Sequence, residues 1–331
     1  MKGTGENVRA LTWQGGDRVE AVDVKPPEPR AGWALVDVAY AGLCGTDLHI
    51  CRGDHPRALP GVVIGHEVVG RLRGPARGWP AGTAVMVNPL LACGECLPCR
   101  NGSAHVCDRL GLLGIDAPGG AAECIAVPED HLVPLPPGLD LRIAALIEPL
   151  AVAVRAIRRG GLRLGQRAHV IGAGPVGLLV ASCARIGGAA EVTLSEPVAR
   201  RAAVAADFGL TLAEEPDQRA EVVFDCTGHP AVAPDVLRWA ATSGTVVTVG
   251  VYPGVVGVDL ASVVLRELAI VGTRVYAPQD VAAAVELAAR DPFGLGRLVT
   301  SVVGVDDGPR AIAQLAAGTE LKILIEGPAV K

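Results

Sequence analysis

The chain has 331 residues, half of them apolar and a fifth charged, with a formal net charge of −5. That length accommodates two domains with proper hydrophobic cores, and the composition excludes an intrinsically disordered chain. The acidic balance leaves no basic footprint, which excludes nucleic acid as an expected partner.

At the start, Met1 to Glu6 is polar and no apolar stretch follows, so the expectation is a cytoplasmic protein without an export signal. The longest uncharged run, Ala168 to Ala184, is short for a membrane span and is broken by glycines and a proline, so no membrane partner is expected. Nine cysteines in such a chain favour metal ligation over a disulfide framework.

Up to about residue 149 the texture is one of short strands, many glycines and prolines, and little helix. Within it lies "GLCGTDLHICRGDHPRALPGVVIGHEVVG", residues 42–70. Cys44, His66 and Glu67 offer a thiol, an imidazole and a carboxylate, and Glu148 follows in "ALIEPLAVAVRA". Three protein ligands and one open position make a catalytic zinc, a Lewis acid that polarises a carbonyl or acidifies an alcohol. Each residue alone has a plainer reading: a buried thiol, a hydrogen-bonded structural imidazole, a surface acid, a domain junction at Glu148-Pro149. Their joint occurrence with the motifs that follow is what favours a metal. His55, His105, His131, His169 and His229 have no comparable context and read as structural.

Next comes "ACGECLPCRNGSAHVC", residues 92–107, in which Cys93, Cys96, Cys99 and Cys107 give C-x2-C-x2-C-x7-C. Four thiolates satisfy a tetrahedral zinc and leave no open position, so this lobe would hold a loop together and do no chemistry. Disulfides, free thiols or an iron–sulfur centre are the alternatives, and iron–sulfur sites use similar spacings.

"RAHVIGAGPVGLLVASCARIGG", residues 167–188, reads as a buried strand, a glycine turn and a helix. Gly172 permits the tight turn, Gly174 lets backbone approach a pyrophosphate, and Gly177 lets the helix pack on the strand. The phosphates would then sit at a helix N-terminus. The next strand, "EVTLSE", ends in Glu196, about 20 residues on, where an acid holds adenosine ribose hydroxyls and repels a 2′-phosphate. That favours NAD over NADP, although Arg200 and Arg201 lie close behind. Further strands at 221–228, 245–252 and 268–273, with helices at Val198–Phe208 and Ala231–Thr242, imply an α/β fold with a doubly wound parallel sheet.

These motifs together resemble the zinc-dependent medium-chain dehydrogenase/reductases of the alcohol dehydrogenase superfamily, in their polyol branch of sorbitol, butanediol and threonine dehydrogenases. The residues that carry the resemblance are "CGTDLH", "GHEVVG", the four-cysteine lobe, "ALIEPLAVAV", "GAGPVG", "SEPVARR", "DCTG" and "LAIVGTRVY", in the expected order over nearly the whole chain.

The resemblance implies a GroES-like distorted β-barrel catalytic domain, residues 1–149 and 276–331, and an inserted Rossmann NAD-binding domain, residues 150–275, with the active site in the cleft. It implies two zincs per chain, a structural one on the lobe and a catalytic one on Cys44 and His66, with Glu67 a third or exchanging ligand. Glu148 would hold the ligand sphere's water or substrate. It places the cofactor against Gly172, Gly174, Pro175, Val176, Gly177, Glu196, Arg201, Thr227, Val249 and Thr273.

Thr46, two residues after Cys44, would take the substrate's proton, which passes by a ribose hydroxyl to His49 at the solvent edge. Asp47 would fix the tautomer of a ligand histidine. Sorbitol dehydrogenases place an arginine immediately before the residue matching Tyr276. Here Val275 stands there and the arginine is Arg274, which an extended segment would turn to the opposite face.

The expected function is therefore NAD-dependent interconversion of a secondary alcohol (diol, polyol, cyclitol or hydroxy amino acid) and its ketone. The alternatives are an NADP-dependent carbonyl reductase and a non-catalytic nucleotide-binding relative. A homodimer or homotetramer, paired through a Rossmann edge strand, is the expected assembly.

Overall fold

In the computed structural model, residues 7–214 and 216–330 are described. The chain forms two units, residues 1–148 with 285–331 and residues 149–284. The first boundary falls in the opening turn of the helix Ile147–Gly160, and the second inside the helix Pro278–Arg290 rather than at residue 276. No helix among the described residues is long and apolar enough to cross a membrane.

The first unit is built on a seven-stranded sheet around the strand Trp33–Gly42, whose alternating apolar residues face the core. On one side it pairs antiparallel with Glu67–Leu72, and beyond that lies Ala84–Val87. On the other it pairs with Lys322–Glu326, so a strand near residue 325 is stitched into a sheet that begins at Trp33. Val36, Val38, Val68, Val85, Ile125 and Ile323 fill the core beneath it. One row of this sheet positions the site: Gly42 lies opposite Glu67 on one neighbour and opposite Leu324 on the other. Side chains alternate along a strand, so Lys322, two residues before Leu324, shares the face of Glu67.

The second unit holds a six-stranded, wholly parallel sheet. Its order is Thr211–Leu212, Glu191–Ser195, Arg167–Ile171, Ala220–Asp225, Ala240–Thr248, Ala269–Gly272. The order reverses at Arg167–Ile171, the switch point at which such sheets bind ligands. The edge strand Ala269–Gly272 is largely exposed, and Ile270, Val264 and Leu265 present apolar side chains to solvent around it.

Two local expectations fail. Residues 231–239 form successive turns, not a helix, and the strand begins at Ala240. Pro234 can donate no hydrogen bond within that stretch, and mainly short-range bonds such as Asp235 N–H to Val232 O replace a helical ladder. Val275 has φ +39°, a conformation costly for a β-branched residue. The segment is therefore not extended there, and strand alternation does not set the direction of Arg274.

Candidate active site

Cys44 ends the turn after Trp33–Gly42 and caps the short helix Gly45–Cys51, while His66 precedes Glu67–Leu72. Buried Asp47 joins these two loops. Its Oδ2 accepts the Cys44 N–H at 2.8 Å and its Oδ1 the Gly65 N–H at 3.2 Å. The same Oδ1 lies 3.9 Å from His66 Nδ1, beyond hydrogen-bond distance, so Asp47 organises the ligand loops rather than fixing the imidazole directly.

The ligand atoms of Cys44, His66 and Glu67 all lie within 4.8 Å of one another, and His66 and Glu67 are buried. A tetrahedral zinc needs such donors about 3.3–3.8 Å apart. Buried His66 Nδ1 has no hydrogen-bond partner, and a thiol, an imidazole and a carboxylate make a zinc donor set. The residues fit the ion.

Burial opposes a charged His66, but the Cys44 side chain, then Asp47 and Glu148, outweigh it and hold the imidazole well above its ordinary value. Glu148, buried in the first turn of Ile147–Gly160, belongs to the same unit. Thr46 Oγ1 is 3.9 Å from Cys44 Sγ. His49 is exposed, with its Nδ1 3.0 Å from Asp54 Oδ1.

Lys322 is a site residue that no motif announced. Its ammonium donates to Glu67 Oε1 at 2.7 Å, Glu67 Oε2 at 2.8 Å and Leu43 O at 3.0 Å. Burial penalises its charge, yet Glu67, Cys44 and Glu148 more than compensate and raise its pKa. The available signal was a lysine in an otherwise apolar run, in a chain that uses 26 arginines and four lysines.

In the lobe, Cys96 Sγ lies 3.3 Å from Cys99 Sγ and 3.7 Å from Cys107 Sγ, and Cys93 Sγ lies 4.0 Å from Cys99 Sγ. These separations are far beyond a disulfide and close to the edge of about 3.8 Å of a zinc–thiolate tetrahedron. The Cys93 thiol is drawn down to about 6, chiefly by the N–H groups of Glu95 and Cys96. Burial, helped by the Cys96 side chain, pushes Cys99 up to about 12. Four thiols at this spacing cannot all ionise without a cation among them.

A cavity of about 950 Å³ opens at the switch point of the second unit, lined by Gly172, Gly174, Glu196, Arg201 and Thr227 among others. Gly172 has φ +97°, and a Cβ there would lie 2.7 Å from Thr227 Cγ2. A Cβ on Gly177 would lie 1.8 Å from Gly172 O, whereas one on Gly174 would meet nothing within 4 Å. The second position is thus open for a ligand and the third closed by packing.

Pro175 and Val176 open the helix Pro175–Ile186, and Val249 and Thr273 do not line the cavity. Glu196 Oε2 accepts the Ala173 N–H at 2.8 Å and Oε1 the Val198 N–H at 2.9 Å, which anchors the carboxylate beside the glycine turn. Behind the cavity, buried Asp225 accepts from the Thr227 hydroxyl and the Tyr252 hydroxyl, each at 2.6 Å, a strut the sequence did not disclose.

Residues 30–137 match the alcohol dehydrogenase GroES-like domain, and residues 175–290 the zinc-binding dehydrogenase domain. A 2-dehydro-3-deoxy-L-galactonate 5-dehydrogenase of Pseudoalteromonas atlantica is 36% identical over 90% of this chain and 92% of its own. An L-galactonate-5-dehydrogenase of Escherichia coli is 32% identical over 77% of this chain and 80% of its own. The crystal structure of a zinc-binding dehydrogenase from Sinorhizobium meliloti bound to NADP superposes with a TM-score of 0.90 at 28% identity, over 97% of this chain and 99% of that one. The GroES-like and Rossmann architecture is thereby established.

Proposed function

The chain belongs to the zinc-dependent medium-chain dehydrogenase/reductases, in their polyol branch, and from that premise we propose that it interconverts a secondary alcohol bearing neighbouring hydroxyl or carboxylate groups and its ketone, with NAD. The observation that carries the reading is the half-buried thiol of Cys44 and the buried imidazole and carboxylate of His66 and Glu67, gathered within 4.8 Å. Cys44 and His66, with Glu67 or Glu148, would hold a catalytic zinc, and the four lobe cysteines a structural one. The names of the two galactonate-type relatives support a polyhydroxy acid as the substrate class.

A zinc bound here would supply Lewis acidity at the alcohol oxygen, and a nicotinamide would supply a hydride acceptor. The chain's own residues do the rest. Asp47 holds the two ligand loops in register, and Thr46 would relay the hydroxyl proton, accepting it at Oγ1 as it gives up its own hydroxyl hydrogen. His49 stands three residues along the same short helix, on the neighbouring face, and releases the proton to water with Asp54 as its partner.

Glu196 supports NAD. Each of its oxygens accepts one backbone N–H and keeps a second lone pair for a ribose hydroxyl, while a 2′-phosphate would meet a carboxylate that is anchored in place. Arg201 on the cavity wall favours the second reading, NADP, which the Sinorhizobium protein binds. For assembly, the exposed apolar edge at Ala269–Gly272 supports a homodimer or homotetramer.

The test is absorbance at 340 nm with NAD or NADP and a panel of aldonates, vicinal diols, linear polyols, cyclitols and hydroxy amino acids. Chelator-sensitive turnover with NAD is expected. NADP preference would overturn the role of Glu196, and silence from protein holding two zincs per chain would overturn the substrate class.

A further inference from the structure

We propose that Lys322 is the positioning residue for Glu67: it competes with the catalytic metal for that carboxylate and so keeps the metal's ligand shell open. The inference rests on the reading of Cys44 and His66, with Glu67 or Glu148, as a metal-binding set.

Both Glu67 oxygens are engaged by one ammonium, at 2.7 and 2.8 Å, and its third hydrogen is taken by Leu43 O at 3.0 Å. Lysine and glutamate are 1% and 0% exposed, so neither charge is relieved by water. The sheet is shaped for this contact. A Cβ at Gly42 would lie 2.0 Å from Glu67 Oε2, so the carboxylate occupies the space that glycine leaves free.

Charge closes the argument. A Cys44 thiolate, Asp47, Glu67 and Glu148 carry four negative charges, and a divalent ion with the Lys322 ammonium carries three positive ones, so loss of Lys322 would double the surplus of negative charge in a largely buried site. Without Lys322, Glu67 would be a buried carboxylate whose one remaining counter-ion is the metal, and it would turn toward it. The choice of lysine fits a carboxylate that is held yet releasable. A compact ammonium fixes charge without the rigid fork by which a guanidinium locks a carboxylate.

The experiment uses cobalt-loaded protein, with the visible band of this site isolated as the difference from the Cys44→Ser variant. In Lys322→Met, Glu67 joins the metal. The band shifts, cobalt leaves to a chelator roughly 10-fold more slowly, and kcat falls roughly 10- to 100-fold. The double variant Lys322→Met/Glu67→Gln restores the wild-type band.

An unchanged band and release rate in Lys322→Met, or a double variant that keeps the single variant's band, would overturn the proposal. Should Lys322→Met not fold, Glu67→Gln alone decides. It leaves the wild-type band in place if Glu67 is held by Lys322, and a changed band would make Glu67 a standing ligand and overturn the proposal. A wild-type protein that takes up cobalt only in the lobe would overturn the underlying metal reading instead.

Discussion

The four-cysteine lobe and the Cys44–His66 cluster both present metal donors, and they differ in nearly everything else. The lobe draws all its ligands from residues 93–107, and three of its four cysteines are only half-buried. Its backbone N–H groups already pull two thiols, Cys93 and Cys96, toward ionisation, so a cation completes a loop that is nearly self-sufficient. The cluster joins a half-buried Cys44 to buried His66 and Glu67, with 148 and 322 acting on it, in a largely buried setting where charge must be balanced. A site meant to hold shape can be local. A site meant to change the charge on a substrate is surrounded by groups that the whole fold has to deliver.

That contrast breaks or sharpens under substitution. Cys44→Ser should lower kcat/KM by at least ~10³-fold while shifting Tm by no more than about 3 °C, because Lewis acidity goes and the fold stays. Cys99→Ser should do the reverse: Tm drops by roughly 10 °C and one metal per chain is lost, with the folded fraction keeping turnover within about twofold. Calorimetry, elemental analysis and initial rates on the same preparations would check both. If the two variants behaved alike, the distinction between the regions would collapse.

A smaller effect is expected at the nucleotide cavity. Glu196→Ser should raise the kcat/KM ratio for NADP over NAD by roughly 10- to 100-fold, read from parallel titrations of the two cofactors. Smallest of all is Arg109→Ala, which removes an exposed pair with Glu95 and a secondary contact to the Cys93 thiol at the lobe's surface. Tm should move by less than about 1 °C and metal content should stay the same. A loss of lobe metal in that variant would show the loop less self-sufficient than its geometry implies.

Where chemistry sits in consecutive residues, the sequence disclosed it. The lobe spacing and the three glycines carry their reasons with them, and Gly172, Gly174 and Gly177 each meet the steric demand assigned to them. What escaped was set by distant neighbours. Lys322 in "LKILIE" has the look of one surface residue on a strand until the strand is paired beside Gly42 and Glu67. Residues 231–239 have helical composition, but prolines and the demands of the following strand decide against it. The left-handed backbone of Val275 runs against the preference of its own side chain, so no local rule could have found it.

Gly42 binds no substrate or metal, yet any side chain there would strike the Glu67 carboxylate at 2.0 Å. In a saturation library, column 42 should therefore be as empty as the columns of the ligands themselves. The scarcity would come from occupied volume, with no chemistry lost. Drift can vary the walls around this point, but the codon at its centre has nowhere to go.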